Sequence, residues 1–118
     1  MKELKMPLVT SKFTKVLVEE EIRFNAPHKF TVVDASNPDK VLADIHFQED
    51  GCKDCGVNGI ANEDLINMVI CRLEHFQKSD YRCRENSLAI TKLEEALLWL
   101  RKRTMDREQR DVEGTSEL

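Results

Sequence analysis

The chain has 118 residues, the size of one small domain, so a single domain over residues 1–118 is predicted. Its 18 basic and 22 acidic residues leave a net charge of −4, which argues against a DNA-coating protein and a polybasic membrane anchor. The chain lacks both a run of about 18 apolar residues and the apolar core of a signal peptide, so neither a membrane span nor secretion is expected.

The first part of the chain, residues 13–48, has the pattern of β-strands. Segments 13–24 and 30–33 are rich in β-branched residues, and residues 41–47 alternate apolar and polar side chains. Between the last two segments, residues 34–40 contain Asp, Ser, Asn and Pro, which predicts a hairpin loop longer than two residues. Because no helical pattern separates these strands, the sheet is predicted to be antiparallel.

Two helices are predicted to follow the sheet. Apolar residues recur at helical spacing over 65–76, with Asn62 as the expected N-cap. A short connection leads to a second helix over about 83–109, so the two form an antiparallel hairpin within residues 60–110. The tail from Asp111 is expected to be frayed. The predicted fold class is therefore α+β, an N-terminal antiparallel β-sheet followed by a C-terminal antiparallel helical hairpin.

The stretch 96–100, Ala-Leu-Leu-Trp-Leu, is apolar on every side of the second helix. One partner helix cannot bury all of these side chains, so another surface must cover the rest. A second copy of the chain is one candidate, which predicts an oligomer. Burial against the sheet is the alternative.

The four cysteines are expected to be reduced. Cys52 and Cys55 have the spacing of a zinc half-site or a redox pair, but Cys71 and Cys83 do not form a second close pair. We therefore predict no metal site, with the first pair in a loop and the other two thiols on buried helix faces. A nucleophilic dyad of Cys71 and His75, four residues apart, is the alternative.

No catalytic residue is predicted, because the nucleophile-elbow, P-loop and helical zinc-protease motifs are all missing from the sequence. Acidic runs at 19–21 and 94–95 have the residue type that binds magnesium, yet such runs are commonly solvated faces of a strand or helix. No cofactor is predicted either.

Several residues of the hairpin have the chemistry of nucleotide binding. Arg103 and Arg107 are four residues apart, so they share a helix face and can each bind phosphate oxygens with two hydrogen bonds. Asn86 offers a donor and an acceptor that match a purine edge, and Phe76 offers a ring for stacking. The alternative is a buried Phe76, a helix cap at Asn86 and two solvated arginines.

Longer motifs resemble a known family. They are GVNGIANEDL at 56–65, RLEHFQ at 72–77, CRENSLAITKLEEAL at 83–97, RTMDRE at 103–108 and VEGT at 112–115. These motifs are similar to the helical hairpin of the Thoeris anti-defence one family of phage signal sponges, which is related through this hairpin to an anti-CBASS sponge family. The resemblance covers residues 56–115. The strand-rich first part of the chain favours the Thoeris branch over the all-helical one.

The resemblance implies a protein that binds cyclic ADP-ribose isomers, notably the glycocyclic forms made by a host TIR-domain protein. It would hold the signal uncleaved in the cytoplasm of the infected bacterial host, with neither DNA nor a membrane as a partner. By motif, Phe76 would stack on the adenine, Asn86 would hydrogen-bond the ligand, and Arg103 with Arg107 would clamp the pyrophosphate at a dimer edge. Such proteins form homodimers and trimers of dimers.

Some similar proteins also bind cyclic di- or trinucleotides at separate sites, so these ligands are a second expected class. The residues of the candidate cyclic-trinucleotide site are Gly56, Val57, Asn58, Gly59 and Arg84. Two other functions stay open from the residues alone: an enzyme that degrades the nucleotide, and a hairpin module that binds a host protein.

Overall fold

The computed structural model describes all 118 residues, which form two compact units, the sheet unit Met1–Ile60 and the hairpin unit Ala61–Leu118. The α+β class is confirmed, because four strands precede the helices. The prediction of one domain stays a prediction. The elements are β1 (Lys2–Leu4), β2 (Thr14–Val18), β3 (Lys29–Asp34), β4 (Asn37–His46), α1 (Cys52–Cys55), α2 (Asn62–Gln77) and α3 (Arg84–Gln109).

The sheet is an antiparallel meander in which β1, β2, β3 and β4 lie side by side in chain order. Its buried core is small and centres on Val18 and Val33, the latter only 1% exposed. At the end of the sheet, the Phe30 ring meets Phe47 edge to face with 5.5 Å between the centroids, a favourable aromatic geometry. The three-residue β1 is too short for a sequence pattern to reveal.

The second strand ends earlier than its sequence predicts. β2 stops at Val18 because the next side chain, Glu19, accepts hydrogen bonds from the backbone N–H groups of His28 and Lys29, both at 2.7 Å. These bonds lower the pKa of Glu19. The chain between them turns back through Phe24 and Asn25, whose φ values of 51° and 73° are left-handed. The strand predicted over 13–24 is therefore wrong beyond its first half.

The turn between β3 and β4 also differs from prediction. The two strands are separated by only two residues, so the longer loop predicted over 34–40 is wrong. The carboxylate of Asp34 accepts hydrogen bonds from the N–H and the hydroxyl of Ser36, at 2.8 and 2.7 Å, and closes the turn. Pro38 lies within β4, which tolerates it as an edge strand.

The segment that follows β4 folds back, so that Ile60 lies beside the end of β4. The N–H of Gln48 donates to the carbonyl of Ile60 and the N–H of Ile60 donates to the carbonyl of His46, each at 2.9 Å. Residues 48–60 are therefore a closed loop rather than an open linker. The loop includes one helical turn, α1, which the sequence analysis did not predict.

The predicted helices over about 62–77 and 83–109 are confirmed as α2 and α3. The N-cap of α2 is Ala61 and not Asn62. The carboxylate of Asp64 accepts the N–H of Ala61 at 2.8 Å and does the capping from inside the first turn. Neither long helix combines the length and the apolar character that crossing a bilayer requires.

Candidate functional site

The C-terminal end of α3 carries the predicted arginine pair. Arg103 is exposed and Arg107 half-buried, one helical turn apart. Two other arginines of this end, Arg101 and Arg110, pair with carboxylates of the same helix at 3.0 and 3.3 Å. Arg103 and Arg107 take part in neither ion pair, so both guanidinium charges are suited to an external anion.

Arg107 also orders the C-terminal tail. Its Nη2 donates hydrogen bonds to the backbone carbonyls of Val112, Thr115 and Glu117, at 3.0, 3.1 and 2.7 Å. The prediction of a frayed tail is therefore wrong, because a charged donor holds it against the end of α3. A guanidinium has further N–H donors on Nε and Nη1. The tail thus fixes the orientation of this side chain through one nitrogen.

Phe76 lies at the other end of the hairpin and lines a cavity of about 450 Å³. Its side chain is 37% exposed, which excludes the alternative of a buried core phenylalanine. The guanidinium carbon of Arg72 lies 5.1 Å from the ring centroid, a cation–π geometry. The lining residues are Arg72, His75, Phe76, Ser79 and Tyr81.

The connection between α2 and α3 is held by Gln77, a residue that sequence reasoning missed. Its Nε2 donates to the carbonyl of Cys83 and to the hydroxyl of Ser87, at 2.8 and 2.7 Å, while its Oε1 accepts the N–H of Cys83 at 3.0 Å. These three bonds fix the first turn of α3, where Asn86 is half-buried. An amide just before a turn is a weak sequence signal, because Gln is common on helix surfaces.

The predicted ligand residues fall at the two ends of the hairpin. Asn86 and Arg107 are twenty-one residues apart on the same helix, which is about 31 Å along its axis. Phe76 belongs with Asn86, since both flank the short connection. One copy of the chain therefore does not bring the stacking ring and the arginine pair together around one small ligand.

The loop Gly56–Gly59, predicted as part of a cyclic-trinucleotide site, is tied by hydrogen bonds to Gln48 and Glu49. Asn58 exchanges two hydrogen bonds with the backbone of Glu49, at 2.8 and 2.9 Å. A Cβ at Gly59 would lie 2.5 Å from the backbone carbonyl of Phe47, so this position requires glycine. This loop lies in the sheet unit, while Arg84, the other predicted member, is the first residue of α3. Their shared role stays a prediction.

The cysteines are all exposed, so the predicted burial of Cys71 and Cys83 is wrong. The thiol of Cys55 donates to the carboxylate of Asp50 at 3.3 Å, and this bond raises its pKa. A thiol with a raised pKa is a poor nucleophile and a poor metal ligand at neutral pH. Groups of three or more His, Cys, Asp or Glu side chains that would hold a metal ion do not occur in the chain.

The hairpin unit exposes large apolar side chains. Neither α2 nor α3 contains a fully buried residue, and Leu98 and Trp99 are 70% and 63% exposed. The amine of Lys102 lies 5.3 Å from the Trp99 ring. Exposed apolar residues in such a cluster are typical of a surface that binds another protein chain.

The helical hairpin of α2 and α3, with the arginine pair at one end and Phe76 at the other, matches a known domain. The family model of the Acb2/Tad1 hairpin domain matches residues 39–105, more than half of the chain. A relative from Bacillus phage SBSphiJ7 is named "Thoeris anti-defense 1" and is 48% identical over 141 aligned positions, which cover 99% of each chain. The chain belongs to the Thoeris anti-defence 1 family.

Proposed function

We propose that the protein binds a cyclic ADP-ribose isomer of the glycocyclic kind and holds it uncleaved, so that Thoeris immunity is blocked. It would act in the cytoplasm of the infected bacterial host. Membership of an anti-defence family supports the setting. The observation that carries the ligand assignment is the pair Arg103 and Arg107 on one helix face, outside the ion pairs of that helix end.

The arginine pair suits a diphosphate. A guanidinium binds phosphate oxygens through a planar fork, and two forks one turn apart match two linked phosphates. Arg107 would keep the hydrogen bonds from its Nη2 to the tail and offer the N–H groups of Nε and Nη1 to the ligand. The tail would thus fix the orientation of the guanidinium before the ligand binds. Less side-chain freedom is then lost when the ligand binds.

Each complete site would be built from two copies of the chain. The ring of Phe76 and the amide of Asn86 would come from one copy, and Arg103 with Arg107 from another, because about 31 Å of helix separates Asn86 from Arg107. The exposed Leu98 and Trp99 support such an assembly. A homodimer, or a trimer of dimers, would supply paired sites related by symmetry.

Cyclic di- or trinucleotides are a second proposed ligand class. The turn Gly56–Gly59 would present backbone N–H groups to a phosphate, except that of Asn58, which donates to the side chain of Gln48 at 3.0 Å. Arg84, in the hairpin unit, is a further candidate ligand residue. The tight approach of Gly59 to the carbonyl of Phe47 supports a preformed loop rather than one that folds around its ligand.

A retention experiment tests the proposed function. The protein is incubated with a cyclic ADP-ribose isomer, freed of unbound ligand, denatured by heat and analysed by chromatography. Intact ligand in the released fraction is the expected result. A linear product would instead indicate a nucleotide-degrading enzyme. If no nucleotide is retained by the protein, a hairpin module that binds a host protein becomes the better hypothesis.

A further inference from the structure

The cavity beside Phe76 is also lined by Arg72 and Tyr81, two side chains that have no role in the proposed function above. Arg72 lies over the Phe76 ring from the same helix, and Tyr81 lies in the turn that follows α2. We propose that Arg72 and Tyr81 bind the purine base of the sequestered nucleotide, together with Phe76. This inference rests on the proposed function and adds two binding residues to it.

The backbone of Tyr81 is held by hydrogen bonds, while the residue is 79% exposed. The hydroxyl of Ser79 donates to the carbonyl of Phe76 at 2.6 Å and accepts the N–H of Tyr81 at 3.1 Å. The N–H of Arg82 continues the turn to the carbonyl of Ser79 at 3.3 Å. The backbone that carries the tyrosine is thus already ordered, and a tyrosine loses little side-chain freedom on binding.

Arg72 makes a nucleobase a better occupant than an aliphatic group. An aliphatic ligand would cover the guanidinium and leave its donors without partners, which costs binding energy. A free phosphate would use the charge but neither ring. A purine has a flat face for stacking on Phe76 and Tyr81 and acceptor atoms at its edge for the Arg72 donors.

The size of the cavity agrees with this assignment. Its volume of about 450 Å³ lies within the range of roughly 300–1,000 Å³ that is usual for small-molecule sites. It therefore has room for a base, while the diphosphate extends toward the arginine pair of the second copy. The cavity would thus select for the base and the arginine pair for the phosphates.

Calorimetry of the full chain with a cyclic ADP-ribose isomer tests the assignment. Tyr81→Ala is expected to weaken binding about tenfold to a hundredfold, while Tyr81→Phe keeps most of the affinity, since stacking needs only the ring. Arg72→Lys should lose most of what Arg72→Gln loses, because an ammonium lacks the planar fork. Phe13→Ala, another exposed aromatic residue but one of the sheet unit, is the matched control and should change affinity less than twofold.

A spectroscopic readout separates contact from a merely structural role. Tyr81 is the only tyrosine of the chain, so a 3-fluorotyrosine label gives one fluorine resonance. The cyclic ADP-ribose isomer should shift this resonance, and inorganic pyrophosphate, which has no base, should not.

The outcomes of the two measurements are distinct. Unchanged affinity in Tyr81→Ala and a resonance unmoved by a ligand that the native chain does bind would overturn the inference while leaving the proposed function standing. If the native chain binds no cyclic ADP-ribose isomer at all, the proposed function itself fails, and the inference fails with it.

Discussion

The sheet unit and the hairpin unit are stabilised in different ways. The sheet unit buries Val18 and Val33 and closes its turns with carboxylates, such as Glu19 on two backbone N–H groups. In the hairpin unit neither long helix has a buried residue, and hydrogen bonds of Gln77 and Arg107 hold the turn and the tail at its two ends. Both units leave large apolar side chains exposed, for example Phe13 in the sheet unit and Trp99 in the hairpin unit. The hairpin unit differs because its long helices carry the exposed Leu98 and Trp99 together with the predicted ligand residues, so the proposed assembly and ligand binding are assigned to it.

The largest expected effect concerns the exposed apolar surface of α3. The double substitution Leu98→Asp with Trp99→Asp would place two charges where a second copy is expected to pack, and a buried charge without a partner is strongly unfavourable. Light scattering should give at least twice the 13.7 kDa of one chain for the native protein and a single-chain mass for the variant. Leu8→Asp, at an even more exposed position of the sheet unit, is the control and should leave the mass unchanged. A single-chain mass for the native protein would contradict the proposal that the hairpin unit packs against a second copy.

The next effect concerns the arginine pair. Charge-assisted hydrogen bonds contribute about 1.5–3 kcal/mol each, so the double variant Arg103→Ala with Arg107→Ala should lose detectable binding of the cyclic ADP-ribose isomer in calorimetry. Arg107→Lys should lose most of what Arg107→Ala loses, since the fork is absent. Arg101→Ala, which removes an arginine already paired with a carboxylate, serves as the control. Native affinity in the double variant would place the phosphate site elsewhere.

A smaller effect is expected in the loop of the sheet unit. Gly59→Ala would place a methyl group 2.5 Å from the carbonyl of Phe47, and overpacking of this kind costs about 1–3 kcal/mol. Chemical denaturation should show the loss of stability. Val57→Ala, at an exposed position of the same loop, should change stability much less. Equal stability of the two variants would show that the loop is more adaptable than its hydrogen bonds indicate.

The smallest effect is a dependence on pH. The backbone N–H groups of His28 and Lys29 lower the pKa of Glu19 in the folded chain, so the ionised carboxylate stabilises the fold. That contribution is complete above the ordinary pKa of glutamate and is lost as the pH falls through the lowered value. Thermal melts across this acidic range should show a steeper loss for the native chain than for Glu19→Gln. Parallel pH profiles would contradict this account.

Much of the architecture follows from local sequence patterns. The period of apolar residues predicts both long helices to within a residue or two, because the repeat continues over about three turns in each. Strand ends are less predictable from sequence. β2 ends where Glu19 binds backbone groups nine and ten residues away, and such a bond cannot be seen in a local pattern. The turn after β3 is shorter than predicted, because the sheet accepts Pro38 on its outer edge.

For the candidate site, the sequence by itself determined which residues have the chemistry for a nucleotide: an arginine pair at helical spacing, an aromatic ring and an amide. Only the tertiary structure decided how they are arranged. It places Asn86 and the arginine pair at opposite ends of α3 and turns Arg107 toward the tail carbonyls. It also brings Arg72 and Tyr81 to the cavity of Phe76. The physical reason is that spacing along one helix sets direction and distance, whereas contacts made through a turn or a folded tail depend on hydrogen bonds between residues that no periodic pattern connects.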